Sequence, residues 1–319
     1  MSDAPLRTAG TGAVTVAPAP PLIEQRRWWS RPTGNPLKIA FFIALLAGLA
    51  VLFTYPFIWT ISASLKPQDQ VFDNRLIPET FQPSNYADVW DVAPVLTWFL
   101  NSVWIGVVAA LSVTISSALV AFGFAYFRFP GRNALFGLVL ATMMLPGAVT
   151  MIPTYLLWNG EVWRHVGIDH SFINTQYPLW VPNLFGSAFY IFLQRQFFLG
   201  IPREYFEAAR MDGDNFFTMF WRIAMPLAKP ALIVAFIFEI EASWNDLMKP
   251  LIYLRDDSLF TMPLGLKTIL DSFGQGGGGE GDWQIIIAAL VISTVPMIVL
   301  FAVFQKYFIE GISTSGRKG

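Results

Sequence analysis

Acidic side chains inside a long apolar run are the residues of this sequence whose types and spacing could do chemistry. The run IFEIEASWNDLMKPLIYL places carboxylates among Ile, Phe and Leu side chains. Glu239 follows Lys229 by ten residues, which is roughly 15 Å along a helix and close to the middle of a bilayer. An ionised carboxylate at that depth is costly unless it faces water or a partner. We therefore predict that polar residues of this run line a pathway: Glu239, Glu241, Ser243, Asn245 and Asp246.

The helical repeat of about 100° per residue divides these side chains between two faces. Glu239, Ser243 and Asp246 form one row, and Glu241, Asn245 and Lys249 form the other. Both rows cannot face lipid, so at least one is expected to line the pathway. Two alternatives stay open: the residues from Asn245 onward lie at a solvated outer interface, or one glutamate is protonated and hydrogen-bonded.

Other reactive groups are sparse in this chain. There is no cysteine, and His165 and His170 are the two histidines, too few ligands for a metal site. The Gly-rich segment 274–281 lacks the Lys-Ser or Lys-Thr pair of a phosphate-binding loop, and no such loop occurs elsewhere. The sequence therefore predicts no catalytic residue, no metal and no bound cofactor, and any ATP consumed must be bound by other chains.

A charged, turn-punctuated segment, residues 201–226, stands between apolar runs. Pro202 suits a first helical position, so we expect a helix from about Pro202 to Met211. Gly213 can end it in a left-handed conformation, and Asp214 or Asn215 can cap a second helix that begins at Phe216. The prediction is a helix-turn-helix, which we call the hairpin. An ordinary amphipathic hairpin at the membrane surface is the alternative.

The small residues and the aromatic rings of the hairpin suggest contact with another surface. Ala208 and Ala209 have almost no side chain, so a partner could approach the backbone there. Five rings are too apolar to be left in water and should be covered by a partner or by the rest of this chain. They are Phe206, Phe216, Phe217, Phe220 and Trp221.

Composition places the whole chain in a membrane. Hydrophobic residues make up 54% of the 319 positions, charged residues 13%, and the mean hydropathy is +0.49. Six apolar stretches approach the roughly 20 residues that a helix needs to cross a bilayer. They are Ile39–Leu65, Phe99–Phe127, Leu135–Leu157, Leu179–Phe198, Leu227–Leu251 and Ile285–Tyr307. We expect an all-α integral membrane protein with six transmembrane helices.

Basic residues predict how the chain is oriented, because Lys and Arg near span ends resist translocation. Fifteen of the 21 Lys and Arg residues fall on the side that holds both termini and the hairpin. This predicts a multi-pass protein of the inner membrane with cytoplasmic N- and C-termini. Residues 1–36 are rich in Ala, Pro and Gly without hydrophobic periodicity, so we expect a disordered cytoplasmic segment before a transmembrane domain at 37–319.

The hairpin carries a specific resemblance. Glu207, Ala208 and Ala209 are followed at fixed spacing by Gly213, Ile223 and Pro226, with Met225 where Leu is usual. This pattern resembles the cytoplasmic coupling loop of ATP-binding-cassette (ABC) importer permeases. The segments TMPLGL and QKYFIEGISTSGRKG, together with Trp244-Asn245-Asp246, are similar to carbohydrate permeases of the maltose and multiple-sugar type. The likeness covers roughly residues 40 to 319, although that family more often has neutral residues at positions 239 and 241.

The resemblance implies partners and coupling residues. It implies a second related permease subunit, two ATPase subunits that bind ATP and Mg, an extracytoplasmic solute-binding protein and the lipid bilayer. It implies no nucleic acid and no enzymatic activity of this chain itself. The residues expected to couple to the ATPase are Glu207, Ala208, Ala209, Arg210, Asp212, Gly213 and Pro226.

Two other functions stay open on the sequence. The importer could carry a non-sugar solute such as an osmolyte or a phosphonate. A proton-coupled secondary transporter could instead use Glu239 and Glu241 as a proton relay.

Overall fold

A computed structural model describes residues 36–165, 167, 169–274 and 281–315, with side chains up to residue 305. The predicted disordered segment lies almost entirely outside the described residues. Two compact units are distinguished, one ending at Thr54 and the other beginning at Tyr55. The functional residues discussed below all belong to the second unit.

The described residues form helices and connecting loops without a β-strand. The α-helices are α1 Pro36–Ser64, α2 Asn85–Val92, α3 Val95–Tyr126, α4 Arg132–Thr142, α5 Gly147–Trp158, α6 Glu161–Arg164, α7 Tyr177–Trp180, α8 Ala188–Leu199, α9 Glu204–Met211, α10 Phe216–Met219, α11 Met225–Leu227, α12 Lys229–Trp244, α13 Met248–Tyr253, α14 Met262–Phe273 and α15 Trp283–Ser315.

Three of the helices, α1, α3 and α15, are long and apolar enough to cross a membrane unbroken. Three bent helix pairs bring the number of spans to six if each pair counts as one. The predicted all-α membrane architecture is therefore confirmed, and three of the spans are each divided between two helices. The third span turns by 94° between α4 and α5, where Pro146 cannot donate a helical hydrogen bond and instead precedes α5.

Small residues let three helices pack closely at the centre of the second unit. Helix α3 packs against both α8 and α12. Its contact surface includes buried Ala118, Ala121 and Ala125, and α12 contributes buried Ala231 and Ala235. Small side chains allow helix backbones to approach in a membrane, where little hydrophobic force drives helices together. This close packing holds the polar residues of α12 against the other helices.

The loop after α1 is fixed by a buried cation. Lys66 is fully buried, and its ammonium pairs with the Asp73 carboxylate and donates to the Arg75 carbonyl oxygen at 2.6 Å. The hydrogen bond from Lys66 holds the pKa of Asp73 below its ordinary value. Asn85 at the start of α2 donates to the carbonyl oxygens of Ser64 and Lys66, both at 2.9 Å. These contacts anchor residues 66–94 to the end of α1.

Candidate functional site

The first helix of the hairpin, α9, ends in a turn that only a residue free to adopt positive φ accommodates easily. Gly213 has φ +88°, and its N–H donates to the Arg210 carbonyl oxygen at 3.1 Å. The Asp214 N–H donates to the Ala209 carbonyl oxygen at 2.9 Å. This pair of bonds is the Schellman motif that ends many helices. The prediction of a left-handed stop at Gly213 is confirmed.

The second helix of the hairpin begins with a side-chain cap. The Asn215 carboxamide oxygen accepts from the Thr218 N–H at 2.8 Å, so the cap is Asn215 rather than Asp214. The helix starts at Phe216 as predicted, but it continues as a π-helical turn from Phe220 to Ala224 before α11. Pro226 lies at the start of α11, where its missing N–H costs nothing.

One face of the hairpin is buried in this chain. Phe206, Ala209 and Phe220 pack with Phe122 of α3 and Phe198 of α8. The ring centroids of Phe122 and Phe220 are 5.5 Å apart. The expectation that Ala209 admits a partner is therefore wrong, because its methyl group fills space inside the chain.

The opposite face of the hairpin is open. Glu207, Ala208, Arg210, Asp212 and Gly213 are exposed. Apolar side chains stand among these residues without cover, namely Tyr205, Met211, Phe217 and Trp221, and Met211 at the tip is 89% exposed. This mixture of charged groups, small residues and exposed rings is typical of a surface that binds another protein. We call it the docking face.

Glu239 lies beside side chains from two other helical segments. Its carboxylate accepts a hydrogen bond from the Asn183 amide, and Asn183 also donates to the Ala109 carbonyl oxygen of α3 at 3.3 Å. Tyr190 of α8 lies beside Glu239. Through Asn183 the carboxylate of α12 is tied to the segment that contains Asn183 and to α3.

Asn183 belongs to a short 3-10 helix, Val181–Phe185, that interrupts the fourth span. The Asn183 backbone carbonyl oxygen accepts a hydrogen bond from the Ser116 hydroxyl at 2.9 Å. The Ser187 N–H donates to the Ser117 hydroxyl oxygen at 3.0 Å. Irregular backbone is tolerated inside a membrane where it is buried in protein or lines a water-filled cavity. Phe185, at the end of this segment, is 81% exposed.

Ser243, Asp246 and Lys249 share a cavity of about 30 Å³ with Glu239. The Lys249 ammonium lies 2.9 Å from the Asp246 carboxylate. The predicted row of Glu239, Ser243 and Asp246 is thus brought together, but the assignment of Lys249 to the other row is wrong. Helix α12 ends at Trp244 and α13 begins at Met248, so the helical repeat does not extend to position 249.

The other two predicted pathway residues lie elsewhere. Glu241 and Asn245 are exposed and do not line the cavity. The cavity has room for a water or two, well below the roughly 300 Å³ of a small-molecule pocket. In this arrangement the polar cluster of Glu239, Ser243, Asp246 and Lys249 can bind water and exchange protons, but it does not enclose a solute.

Sequence reasoning missed Asn183 and Tyr190 as partners of Glu239. The signal available was Pro182 and Gly186 on either side of Asn183, since both residues interrupt regular helices. Within the described part of the chain, no group of three or more His, Asp or Glu side chains is arranged to hold a metal ion.

A family model and a known transport protein each match more than half of this chain. Residues 114–314 match the family model described as binding-protein-dependent transport system inner membrane component. The arabinooligosaccharides transport system permease protein AraQ of Halalkalibacterium halodurans is 33% identical over 278 residues, covering 86% of this chain and 94% of that protein.

A second relative is similar over nearly its whole length. The sn-glycerol-3-phosphate transport system permease protein UgpE of Escherichia coli O1:K1 / APEC is 31% identical over 305 residues, covering 92% of this chain and 99% of that protein. Among solved structures, a chain of a bacterial ABC transporter involved in the import of the acidic polysaccharide alginate superposes with a TM-score of 0.74. It is 25% identical, and the match covers 87% of this chain and 100% of that chain.

Proposed function

The chain belongs to the family of binding-protein-dependent transport system inner membrane components, and from this premise we propose that it is the permease subunit of an ATP-driven sugar importer. Its cargo is a di- or oligosaccharide or a related polyol. AraQ and the alginate transporter, by their names, act on oligomeric or polymeric carbohydrate, which supports this class of solute. The family consists of transport components, so the chain is not an enzyme.

The docking face of the hairpin is the observation that carries this proposal. Its exposed Glu207 and Ala208 stand beside uncovered rings, while Phe206 and Phe220 tie the same segment into α3 and α8. A rigid unit with one face open and one face packed can pass a movement of a partner to the membrane helices. The partner in this role is one of two ATPase subunits, which bind the ATP and Mg.

The assembly has further members. A second related permease completes the translocation path, and an extracytoplasmic solute-binding protein delivers the sugar, as the family description binding-protein-dependent supports. Both termini and the hairpin lie in the cytoplasm, because most of the basic residues fall on that side.

The polar cluster lies on the translocation path of this subunit. Glu239 with Asn183 is placed where the fourth span loses its regular helix, which is where transporters commonly bind solute or ions. Opening of the bundle would widen the cavity of about 30 Å³ and expose Ser243 and Asp246 to the solute. Glu241 and Asn245 are exposed outside this cavity.

Charge reversal on the docking face tests the proposal. Glu207→Lys places a cation where the partner surface receives a carboxylate, so ATP-driven uptake of the sugar should fall at least tenfold. The matched control is Glu204→Lys, one turn earlier in α9, at an exposed position outside the coupling pattern. The measurement is uptake of radiolabelled oligosaccharide by cells, together with recovery of the ATPase subunits on purification.

The source of energy for uptake distinguishes an ATP-driven importer from a proton-coupled carrier. Uptake by the wild type should stop when ATP is depleted and should persist when an uncoupler removes the proton gradient while ATP is maintained. The opposite pattern, or normal uptake by Glu207→Lys, would contradict the proposal.

A further inference from the structure

The loop that joins α3 to α4 carries a cluster of arginines that the proposed transport function does not use. Arg128 and Arg132 line a cavity of about 290 Å³ whose other walls are Phe129, Gly131, Asn133 and Ala134. No acidic side chain lines this cavity. Within the described residues, neither arginine forms an ion pair.

A third arginine strengthens the positive charge beside the cavity. Arg195 in the second half of α8 lies close enough to Arg132 for the two charges to interact. Its guanidinium stacks on the Phe136 ring at 4.1 Å from the centroid. Its Nε atom is buried and has no hydrogen-bond acceptor among the described residues. Stacked in this way, Arg195 is held in place as a fixed cation rather than a mobile surface group.

The loop that carries Arg128 joins two membrane-spanning segments. Residues 127–131 connect the end of α3 at Tyr126 to the start of α4 at Arg132, so the connection is only five residues long. Directly along α4, Leu135 is 50% exposed and Leu138 is 64% exposed. These two side chains are three residues apart and therefore lie on one face of the helix. The cations of the loop thus adjoin an exposed apolar strip on α4.

We propose that Arg128 and Arg132 bind the phosphodiester of an anionic phospholipid, whose acyl chains lie along Leu135 and Leu138. Guanidinium groups match phosphate oxygens in geometry and charge. Basic pockets between membrane helices are suited to such headgroups. Arg132 is positioned for this role because its Nη1 donates to the Phe127 carbonyl oxygen at 3.3 Å. The two arginines select an anionic headgroup and the exposed leucines select acyl chains, so the ligand is an anionic phospholipid.

The bound lipid would also support the hairpin. Arg128 lines a second cavity, of about 300 Å³, together with Arg203, Glu207 and Arg210 of the hairpin. An anion beside Arg128 therefore adjoins the cavity that contains the residues of the docking face. Loss of the lipid is expected to weaken the contact between residues 127–131 and the hairpin. This effect does not depend on which solute is transported.

Native mass spectrometry of the full chain, purified with the subunits that accompany it, tests the proposal. The wild type should bind phosphatidylglycerol in preference to phosphatidylcholine. The double variant Arg128→Gln, Arg132→Gln should lose about thirtyfold in affinity for phosphatidylglycerol, roughly fivefold for each charge. Arg222→Gln, at an exposed arginine outside both cavities, is the matched control and should bind like the wild type.

Two further measurements distinguish lipid binding from misfolding of the variant and from binding of free phosphate. The double variant Arg128→Lys, Arg132→Lys should retain most of the binding, which shows that loss in the Gln variant is not misfolding. Inorganic phosphate at the same concentration should not displace phosphatidylglycerol, because it has no acyl chain. Displacement by phosphate, unchanged lipid binding in the Gln variant, or loss of ATPase subunits without loss of lipid would each overturn the proposal.

Discussion

Glu239 is a carboxylate whose position inside the membrane depends on its neighbours. The Asn183 amide donates to it, and Tyr190 lies beside it. A buried polar group without such partners costs several kcal/mol in an apolar medium. The Asn183 donor makes Glu239 tolerable in the bundle, and it also ties the position of Glu239 to that of the 3-10 segment.

Replacement of this carboxylate should impair transport more than folding. In Glu239→Gln the amide can still accept from Asn183, so the bundle is expected to fold, but the charge facing Ser243 and Asp246 is removed. We expect sugar uptake to fall about tenfold while membrane expression stays near normal. Uptake normalised to the amount of protein in the membrane provides the measurement.

An exposed carboxylate outside the cluster provides the control for this variant. Asp271→Asn on α14 removes a charge whose partner is the nearby Lys267, and it should transport normally. Full transport by Glu239→Gln would remove Glu239 from the translocation path.

At the scale of elements, α14 and the 3-10 turn before it, Asp257–Leu259, are docked on α3 by a ring and by hydrogen bonds. The Trp98 indole N–H of α3 donates to the Asp257 carbonyl oxygen at 3.0 Å, and the Met262 N–H donates to the Ser102 hydroxyl oxygen at 2.7 Å. Gly265 lies directly against Trp98, and a Cβ atom there would come within 2.0 Å of Trp98 Cε3. The two helices can approach this closely because position 265 has no side chain.

The close approach predicts a large effect of one methyl group. Gly265→Ala forces α14 or Trp98 to move, and we expect it to destabilise the protein by roughly 1–3 kcal/mol. Thermal unfolding in detergent, followed by circular dichroism, measures the loss. Gly137→Ala on α4 is the control, since a Cβ atom there has no neighbour within 4 Å, and the higher helix propensity of alanine should leave stability unchanged or slightly raised. Equal melting temperatures for Gly265→Ala and the wild type would contradict the packing.

At the scale of the whole molecule, the distribution of charge predicts which ends of the helices face the cytoplasm. The excess of Lys and Arg near the hairpin predicts that the hairpin faces the cytoplasm and that the region 66–94 lies on the opposite side. The absence of cysteine from the sequence makes single introduced thiols unambiguous reporters. Both Met211, at the hairpin tip, and Glu79, in the loop after α1, are exposed.

Thiol labelling in cells tests this orientation. Met211→Cys, in the chain expressed without the ATPase subunits that would cover the docking face, should react with a membrane-impermeant maleimide only after the inner membrane is permeabilised. Glu79→Cys should react without permeabilisation once the reagent has passed the outer layers. Reaction of Met211→Cys from outside would place the hairpin on the wrong side for an ATPase and would reject both the orientation and the coupling role.

The class of the protein and the local form of the hairpin could be predicted from sequence. Apolar runs of spanning length require helices in a membrane, since no other structure satisfies the backbone of a lone segment there. The stop at Gly213 and the start at Phe216 were predictable because turn and cap chemistry acts between residues close in the chain. The hairpin pattern at Glu207 and Gly213 indicated the family for the same reason, since its spacing is local.

Only the tertiary structure decided what surrounds each of those residues. The burial of Ala209 depends on Phe122 and Phe198, and the partners of Glu239 come from α8 and the preceding 3-10 segment. Lys249 reaches Asp246 because the helix breaks after Trp244, which the periodicity of one segment does not reveal. Contacts between residues far apart in the chain depend on how whole helices pack, and that packing is the sum of many weak interactions that no short stretch of sequence contains.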